Sequence, residues 1–243
     1  MRYLVISDIH ANLPALEAVL ADAAPFEQVW CLGDIVGYGP YPNECIARLR
    51  DLPLTTLAGN HDWAAIGRLD LDYFNREARA AVAWTRLALM PENKAYLESL
   101  PTMLVESDYT LAHGSPGQPI EEYIVDLLSA EQNFYQFKTR VCLVGHTHWP
   151  VAFFRANGLE RMCVQIAPQW NERIKIDTGR WIINPGSVGQ PRDGDPSASY
   201  ALLDPAAGEW EYRRVAYPFE ETQARMRHFR LPEGLIERLS HGH

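Results

Sequence analysis

The chain has 243 residues, of which 47% are hydrophobic and 22% are charged, so it is not intrinsically disordered and can bury a sizeable core. Its 22 Lys and Arg residues against 31 Asp and Glu residues give a net charge of −9, which disfavours general nucleic-acid binding and binding to an anionic membrane surface. An anionic substrate therefore has to be held by a local source of positive charge.

The first hundred residues alternate short apolar strands with amphipathic helices, a pattern that predicts an α/β sheet. The predicted strands are 2–7, 29–32 and 54–58. The predicted helices begin at Asn12 and near Pro42, and two more cover 75–90 and 91–100. Pro91 separates the last two helices, because the residue before a proline disfavours helical geometry. We expect residues 63–100 to form either a helical cap over the rim of the sheet or a dimer face.

The second half of the chain is richer in strands. These are predicted over 104–106, 109–112, 141–144, 151–154, 162–166, 181–183, 200–203 and 209–215. Helices are predicted near 129–137, 219–229 and 235–239. No internal repeat, low-complexity tract or linker divides the chain, so residues 1–243 are predicted to form a single domain of two packed sheets flanked by helices.

The N-terminus does not resemble a signal peptide, and no apolar run reaches the length of a membrane span. The four cysteines are widely scattered and form no CxxC pair: Cys31, Cys45, Cys142 and Cys163. Such spacing is typical of reduced core residues rather than of a disulfide framework or a zinc cluster. We therefore expect a cytoplasmic protein that does not associate with membranes. The oligomeric state stays open, with a homo-oligomer as one option.

Polar side chains follow five of the apolar strands, at the point where each strand ends. They are Asp8 and His10, Asp34, Asn60 and His61, His113, and His146 and His148. Because ligands of an open α/β sheet bind outside the carboxyl ends of its strands, these side chains are expected to meet at one rim. Each signal is weak alone, since Asp8 also suits a turn and His113 also suits a hydrogen-bonded core histidine. Their joint occurrence favours a metal centre.

The donor set indicates which metals to expect. It offers oxygen and imidazole but no thiolate, which suits manganese, iron, nickel or zinc better than calcium. Seven candidate ligands exceed what one ion with open positions needs, so two ions sharing one carboxylate is the economical arrangement, with Asp34 as the bridge. Two ions about 3.5–4 Å apart can hold a hydroxide and clamp two oxygens of a phosphoryl group.

In order along the chain, these residues resemble the motifs of the calcineurin-like metallophosphoesterases: DxH, GDxxG, GNH(D/E), a lone histidine and GHxH. The matching positions are 8–10, 33–37, 59–62, His113 and 145–148. The Asn-Pro-Gly-Ser segment at 184–187 resembles a loop of the small bacterial and archaeal phosphodiesterase-like branch. The resemblance implies a four-layer α/β/β/α sandwich of two mixed sheets, with two divalent ions at the rim and manganese as the first expectation.

The resemblance also implies a role for each site residue. One ion is expected on Asp8, His10, Asp34 and His148, and the other on Asp34, Asn60, His113 and His146. His61 is expected beside the leaving oxygen, as general acid or charge stabiliser, with bracing of its own turn as the alternative. Protein Ser/Thr phosphatases of the superfamily continue the second motif as GDxxDRG, but residues 33–39 carry neither the second acid nor the arginine. The partner that orients His61 therefore cannot be named.

Three further contacts to substrate are predicted. Asn60 faces the phosphate from within its motif. Asn12 follows the DxH turn and is expected to donate to a phosphate oxygen, with capping of the following helix as the alternative. Arg192 is expected to clamp a phosphate bidentately, with pairing to Asp193 or Asp195 in a solvated loop as the alternative.

The sequence thus predicts a dinuclear metal-dependent phosphoesterase in which hydroxide held between the ions attacks phosphorus and His61 assists the leaving group. A small phosphodiester, such as a cyclic nucleotide or nucleotide derivative, is favoured by the missing second acid and by analogy with the phosphodiesterase-like branch. The alternatives are a phosphomonoesterase acting on small metabolites or phosphoprotein, and a non-catalytic metal-binding scaffold of the same fold.

Overall fold

The computed structural model describes residues 1–158 and 162–243. The strands are β1 (Tyr3–Ile6), β2 (Gln28–Cys31), β3 (Leu54–Thr56), β4 (Met103–Glu106), β5 (Tyr109–Ala112), β6 (Val141–Leu143), β7 (Val151–Arg155), β8 (Cys163–Ile166), β9 (Arg173–Lys175), β10 (Arg180–Asn184), β11 (Ala198–Asp204) and β12 (Glu209–Val215). The helices are α1 (Leu13–Ala23), α2 (Pro42–Arg50), α3 (Asn60–Ala65), α4 (Arg76–Ala88), α5 (Pro91–Ser99), α6 (Leu127–Asn133), α7 (Phe219–His228) and α8 (Glu233–Glu237). Two short 3-10 turns cover Leu71–Tyr73 and Arg238–Ser240.

The strands form two six-stranded mixed sheets. The first has the order β3-β2-β1-β11-β12-β9 and is parallel from β3 to β1 and antiparallel beyond. The second has the order β4-β5-β6-β10-β7-β8, and its parallel strands are β5, β6 and β10. In each sheet the parallel strands therefore end at the same edge, where the predicted site residues follow them.

Three apolar cores separate four layers. The core between the sheets takes residues from both of them, including Trp30 and Tyr109. Leu16 and Ile46 belong to the core between the first sheet and helices α1 and α2. Phe134 belongs to the core under α6, on the outer face of the second sheet. Two mixed sheets flanked by helices confirm the predicted fold class.

Local sequence explains where the predicted helices begin and where the prediction fails. Asn12 caps α1, since its side chain accepts a hydrogen bond from the Ala15 amide. Asp126 caps α6 in the same way, which moves that helix two residues ahead of its predicted start. One α-helix and one strand were not predicted: α3, whose polar first turn lacks apolar periodicity, and β9, a three-residue strand at the edge of its sheet.

The C-terminal helices are part of the folded body. Residues of α4, α7 and α8 form a further apolar core together with Tyr38, which contains Ala78, Met226, Leu235 and Leu239. All four cysteines are free and buried. Within the described ranges, no helix is both long and apolar enough to cross a membrane.

Candidate metal centre

The predicted ligands lie at one rim, and their backbone is strained. Asp8, His10, Asp34, His146 and His148 all have positive φ angles, between 49° and 66°. A left-handed backbone at residues other than glycine costs about 1–3 kcal/mol each and persists only where the surrounding structure fixes it. Such strain is concentrated at functional sites, and here it turns buried polar side chains of separate strand ends toward one another.

Asp8, His10 and His148 form the first cluster. The Nε2 atoms of the two histidines lie 3.0 Å apart, and His148 Nε2 lies 3.4 Å from Asp8 Oδ1. His10 Nδ1 donates to the Val36 carbonyl and His148 Nδ1 donates to the Gln190 carbonyl, at 3.2 and 2.6 Å. Each ring therefore carries its proton on Nδ1, and the two Nε2 lone pairs face each other. A cation bound by both nitrogens would remove the repulsion between these lone pairs.

Asp34, Asn60, His113 and His146 form the second cluster. His113 Nε2 lies 3.1 Å from Asn60 Oδ1 and 3.4 Å from Asp34 Oδ2, while its Nδ1 donates to a backbone carbonyl 2.9 Å away. His146 donates from Nε2 to the Glu121 carbonyl at 3.3 Å, which leaves its Nδ1 as the ligand atom. The side chains therefore present imidazole nitrogen and oxygen donors, as a divalent ion of the predicted kind requires.

Two carboxylate oxygens in this rim are buried and have no hydrogen-bond partner: Asp8 Oδ1 and Asp34 Oδ2. Asp34 Oδ2 lies 3.6 Å from His10 Nε2 and 3.4 Å from His113 Nε2, so it faces both clusters. An anionic oxygen buried without a partner is costly, and a coordinated cation removes that cost. The two orphaned oxygens show that the residues at this rim fit bound divalent metal.

Burial shifts the pKa values of the Asp and His side chains at the rim. Burial raises the pKa of Asp8 to about 6 and lowers the pKa values of His10 and His148, which keeps those rings in the neutral form that binds metals. Burial opposes the charged form of Asp34 too, but the neighbouring His113 and His61 hold the pKa of Asp34 below its usual range. Burial likewise lowers the pKa of His113, but Asp34 outweighs it and raises that pKa to about 9.

His61 lies beside the rim without a polar partner on its ring. The ring packs against His10, Tyr38 and Phe74, at centroid distances of 4.8, 4.3 and 4.8 Å, and its buried Nδ1 makes no hydrogen bond. Burial lowers the pKa of His61 to about 4. Its ligand nitrogen is also within 4.8 Å of the ligand atoms of His10 and Asp34, so the structure brings His61 within reach of an ion. Its role beside the leaving oxygen stays a prediction.

Gly37 lies directly beside His61 Nδ1. A Cβ atom at this residue, whose φ is +96°, would lie 2.6 Å from that nitrogen. Gly37 is the position at which the GDxxDRG pattern carries its second acid. Asp62 does not replace that acid, because its carboxylate accepts hydrogen bonds from the backbone amides of Ile35, Val36 and Gly59. His61 is therefore positioned by ring packing and by its backbone amide, which donates to Asp34 Oδ1 at 2.8 Å.

The three amide contacts of Asp62 give the first testable prediction. We expect Asp62→Asn to lower the free energy of unfolding by about 1–3 kcal/mol, because an amide NH₂ would face at least one donor and leave it buried without an acceptor. Chemical denaturation of the two proteins would measure this. Asp51→Asn, which changes an exposed carboxylate at the end of α2, is the control. Equal stability of Asp62→Asn and the parent chain would contradict the bracing role.

Asn12 caps helix α1, which is the alternative role given above for this residue. Its Nδ2 donates to the Gly189 carbonyl and to Tyr217 Oη, at 2.9 and 3.1 Å, and its Oδ1 accepts from Thr222 Oγ1 and from the first turn of α1. With both amide protons donated and 1% of the residue exposed, no free donor faces a substrate. The structure therefore favours the helix cap over the predicted phosphate contact.

A cavity of about 420 Å³ opens beside the candidate metal-binding rim. Asn60, His61 and His146 line its floor, and Tyr73 and Phe74, within the predicted cap segment 63–100, line one wall. On another side lies Tyr123, whose ring stacks on His146 at a centroid distance of 3.8 Å. Sequence reasoning missed Tyr123, because no motif surrounds it.

Arg192 also lines this cavity, whereas the neighbouring acids turn away from it. Its Nη2 donates to Gln190 Oε1 at 2.9 Å and to Tyr38 Oη at 3.3 Å. Asp193 and Asp195 instead pair with Arg214. The alternative of a solvated Arg192 paired with either acid is therefore wrong. Its predicted contact with a phosphate is compatible with its position.

Residues 1–208 match the family model of the calcineurin-like phosphoesterase superfamily domain. The chain belongs to this superfamily. The crystal structure of a metallophosphoesterase from Sphaerobacter thermophilus superposes with a TM-score of 0.91 at 50% identity, covering 100% of this chain and 99% of that one. The uncharacterized protein MJ0912 of Methanocaldococcus jannaschii is 38% identical over 97% of this chain and 96% of its own length. Phosphodiesterase YfcE of Escherichia coli is 27% identical over 84% of this chain and 88% of its own.

As a calcineurin-like phosphoesterase of the small bacterial and archaeal branch, the protein is a hydrolase of phosphate esters. The superfamily depends on divalent metal ions, and the clusters of buried Asp and His side chains are candidate sites for them. The predicted family and enzyme class are thereby confirmed.

Proposed function

We propose that the protein is a dinuclear metallophosphodiesterase acting on a small phosphodiester. The observation that carries the proposal is Asp34 Oδ2, which is buried without a hydrogen-bond partner and lies within 3.6 Å of ligand nitrogens from both clusters. A single carboxylate oxygen that faces two sets of ligands is what a bridge between two ions requires.

The first set of ligands is Asp8, His10, Asp34 and His148, and the second is Asp34, Asn60, His113 and His146. When bound, two divalent ions supply an activated water nucleophile and neutralise charge that develops on the phosphoryl oxygens. Manganese suits the mixed nitrogen and oxygen donors, with iron, nickel and zinc as alternatives.

The remaining steps belong to side chains of this chain. His61, which lines the cavity, stabilises the charge of the departing oxygen, or donates a proton to it once the anionic phosphate beside the ring raises the pKa of His61. The Asn60 amide contacts the phosphate, and the Arg192 guanidinium offers a charged donor to one of its oxygens. Residues 63–100 cap the rim, since Tyr73 and Phe74 line one wall of the cavity.

Two features support a small phosphodiester rather than a phosphoprotein. The cavity of about 420 Å³, with Tyr73, Phe74 and Tyr123 in its walls, suits a small ligand with an aromatic group. Glycine also stands at position 37, where the protein phosphatase pattern has an acid. The YfcE relative is a phosphodiesterase by name.

The four free buried cysteines further support a cytoplasmic location.

The test compares bis(4-nitrophenyl) phosphate with 4-nitrophenyl phosphate, using metal-stripped protein to which manganese, iron, nickel or zinc is restored. We expect no turnover without metal and, with manganese, a higher kcat/KM for the diester than for the monoester. A strong preference for the monoester would favour the phosphomonoesterase alternative. Folded protein that hydrolyses neither ester with any of the four metals would contradict the proposal.

A further inference from the structure

Two arginines from distant parts of the chain converge at the edge of the cavity. Arg192 Nη2 and Arg238 Nη1 donate to the same atom, Gln190 Oε1, at 2.9 and 3.3 Å. Both arginines line the cavity together with His61. Arg192 is additionally held by Tyr38, whose hydroxyl accepts from it and whose ring lies 5.9 Å from its guanidinium carbon. The two positive groups are therefore positioned side by side next to the metal-binding rim.

Charge compensation of this arginine pair is weak, because Glu77 raises the pKa of Arg238 but forms no ion pair with it. Among residues 1–158 and 162–243, no carboxylate forms an ion pair with either guanidinium, and the Nε atoms of both are buried without a hydrogen-bond partner. Burial and the charge of Arg192 together lower the pKa of Arg238. Two cations that share one neutral acceptor repel each other, and the chain carries 31 acidic residues that could have paired with them. Such a pair is stabilised by a bound anion.

Arg238 also lies outside the part of the chain that the family model matches. It opens the 3-10 turn after α8, beyond residues 1–208, which match the family model. The buried Leu235 and Leu239 on either side anchor it to the core that contains Tyr38. The C-terminal helices thus form a rigid support that brings an additional cation to a site assembled by the superfamily domain.

We propose that Arg192 and Arg238 bind a second phosphate group of the substrate, so that the preferred substrate is a phosphodiester with a further phosphate. Guanidinium groups bind phosphate through paired charged hydrogen bonds, and two of them suit a dianion better than the single charge of a diester. The aromatic side chains in the cavity suit a nucleoside between the two phosphates. This inference rests on the proposed phosphodiesterase function for the scissile group.

The first test measures anion binding without catalysis. Calorimetry on metal-stripped protein with inorganic pyrophosphate should show binding that weakens by about tenfold or more in Arg238→Gln and in Arg192→Gln. Arg238→Lys keeps the charge and should recover part of the loss. Arg227→Gln is the matched control, because it removes an exposed C-terminal arginine that pairs with Glu233. Pyrophosphate affinity that is the same in all variants would overturn the proposal.

The second test uses two esters that differ by one phosphate: thymidine 5′-(4-nitrophenyl phosphate) and its 3′-phosphorylated derivative. With manganese, the parent protein should prefer the 3′-phosphorylated ester in kcat/KM, and Arg238→Gln should reduce that preference by about tenfold. Arg227→Gln should leave the preference unchanged. An equal ratio in the parent and in Arg238→Gln would overturn the subsite. If the parent hydrolyses neither ester, the proposed function fails, and pyrophosphate affinity alone then decides the subsite.

Discussion

Replacing Asp34 with Asn should lower manganese-dependent kcat/KM for bis(4-nitrophenyl) phosphate by at least about a thousandfold. The side-chain oxygen of the substituted amide can still accept the hydrogen bond from the His61 backbone amide, so the turn around the site is retained. The charge of the oxygen that faces His10 and His113 is lost, however, and an amide is a poor bridge between two cations. The effect on catalysis should therefore far exceed the effect on folding.

The metal content of each variant separates this explanation from a loss of structure. Elemental analysis after loading with manganese and gel filtration should give two ions per chain for the parent and fewer for Asp34→Asn. Circular dichroism reports whether the variant is folded, and Asp51→Asn controls for loss of a surface carboxylate. A folded Asp34→Asn protein that keeps two ions and parental turnover would refute the bridging role.

The candidate metal-binding rim could be predicted from sequence because its candidate ligands follow strands within a few residues. Each candidate ligand is placed by its own strand end, as Asp8 is by β1 and His113 is by β5, and the parallel strands of each sheet bring their ends to one edge of that sheet. The helices of segment 63–100 were equally predictable, since Pro91 begins α5 as expected. Local rules are sufficient wherever a strand, a cap or a turn determines the position of a side chain.

The parts that could not be predicted depend on contacts between distant segments. Arg238 and Gln190 are 48 positions apart, and Arg192 and Tyr38 are 154 apart, so no local pattern reveals that they meet. Asn12 has partners in the C-terminal half that the sequence does not indicate, which is why its cap role could not be separated from a substrate role. Only tertiary packing determines such contacts, and a single sequence does not reveal it.

Replacing His61 with Ala should lower kcat by about a hundredfold or more for a phosphodiester with an alkyl leaving group. The ring lines the cavity beside the candidate metal-binding rim and has no acid at position 37 to occupy its Nδ1, so we expect its polar atoms to act on the substrate. An alkoxide needs a proton to depart, whereas a nitrophenolate leaves readily without one. The loss should therefore be much smaller for bis(4-nitrophenyl) phosphate than for the dinucleotide thymidylyl-thymidine, whose departing group is an alkoxide.

The dependence on the leaving group distinguishes three roles that the position of His61 allows. A general acid gives unequal losses for the two leaving groups with two ions retained. A metal ligand, which its distance of within 4.8 Å from His10 and Asp34 permits, gives loss of an ion together with equal kinetic losses. A residue that only braces its turn gives lower stability with similar kinetics for both esters. His228→Ala, which removes an exposed histidine of α7, should change none of these readouts. Position 37 carries glycine, so it offers no carboxylate that could replace the imidazole in His61→Ala.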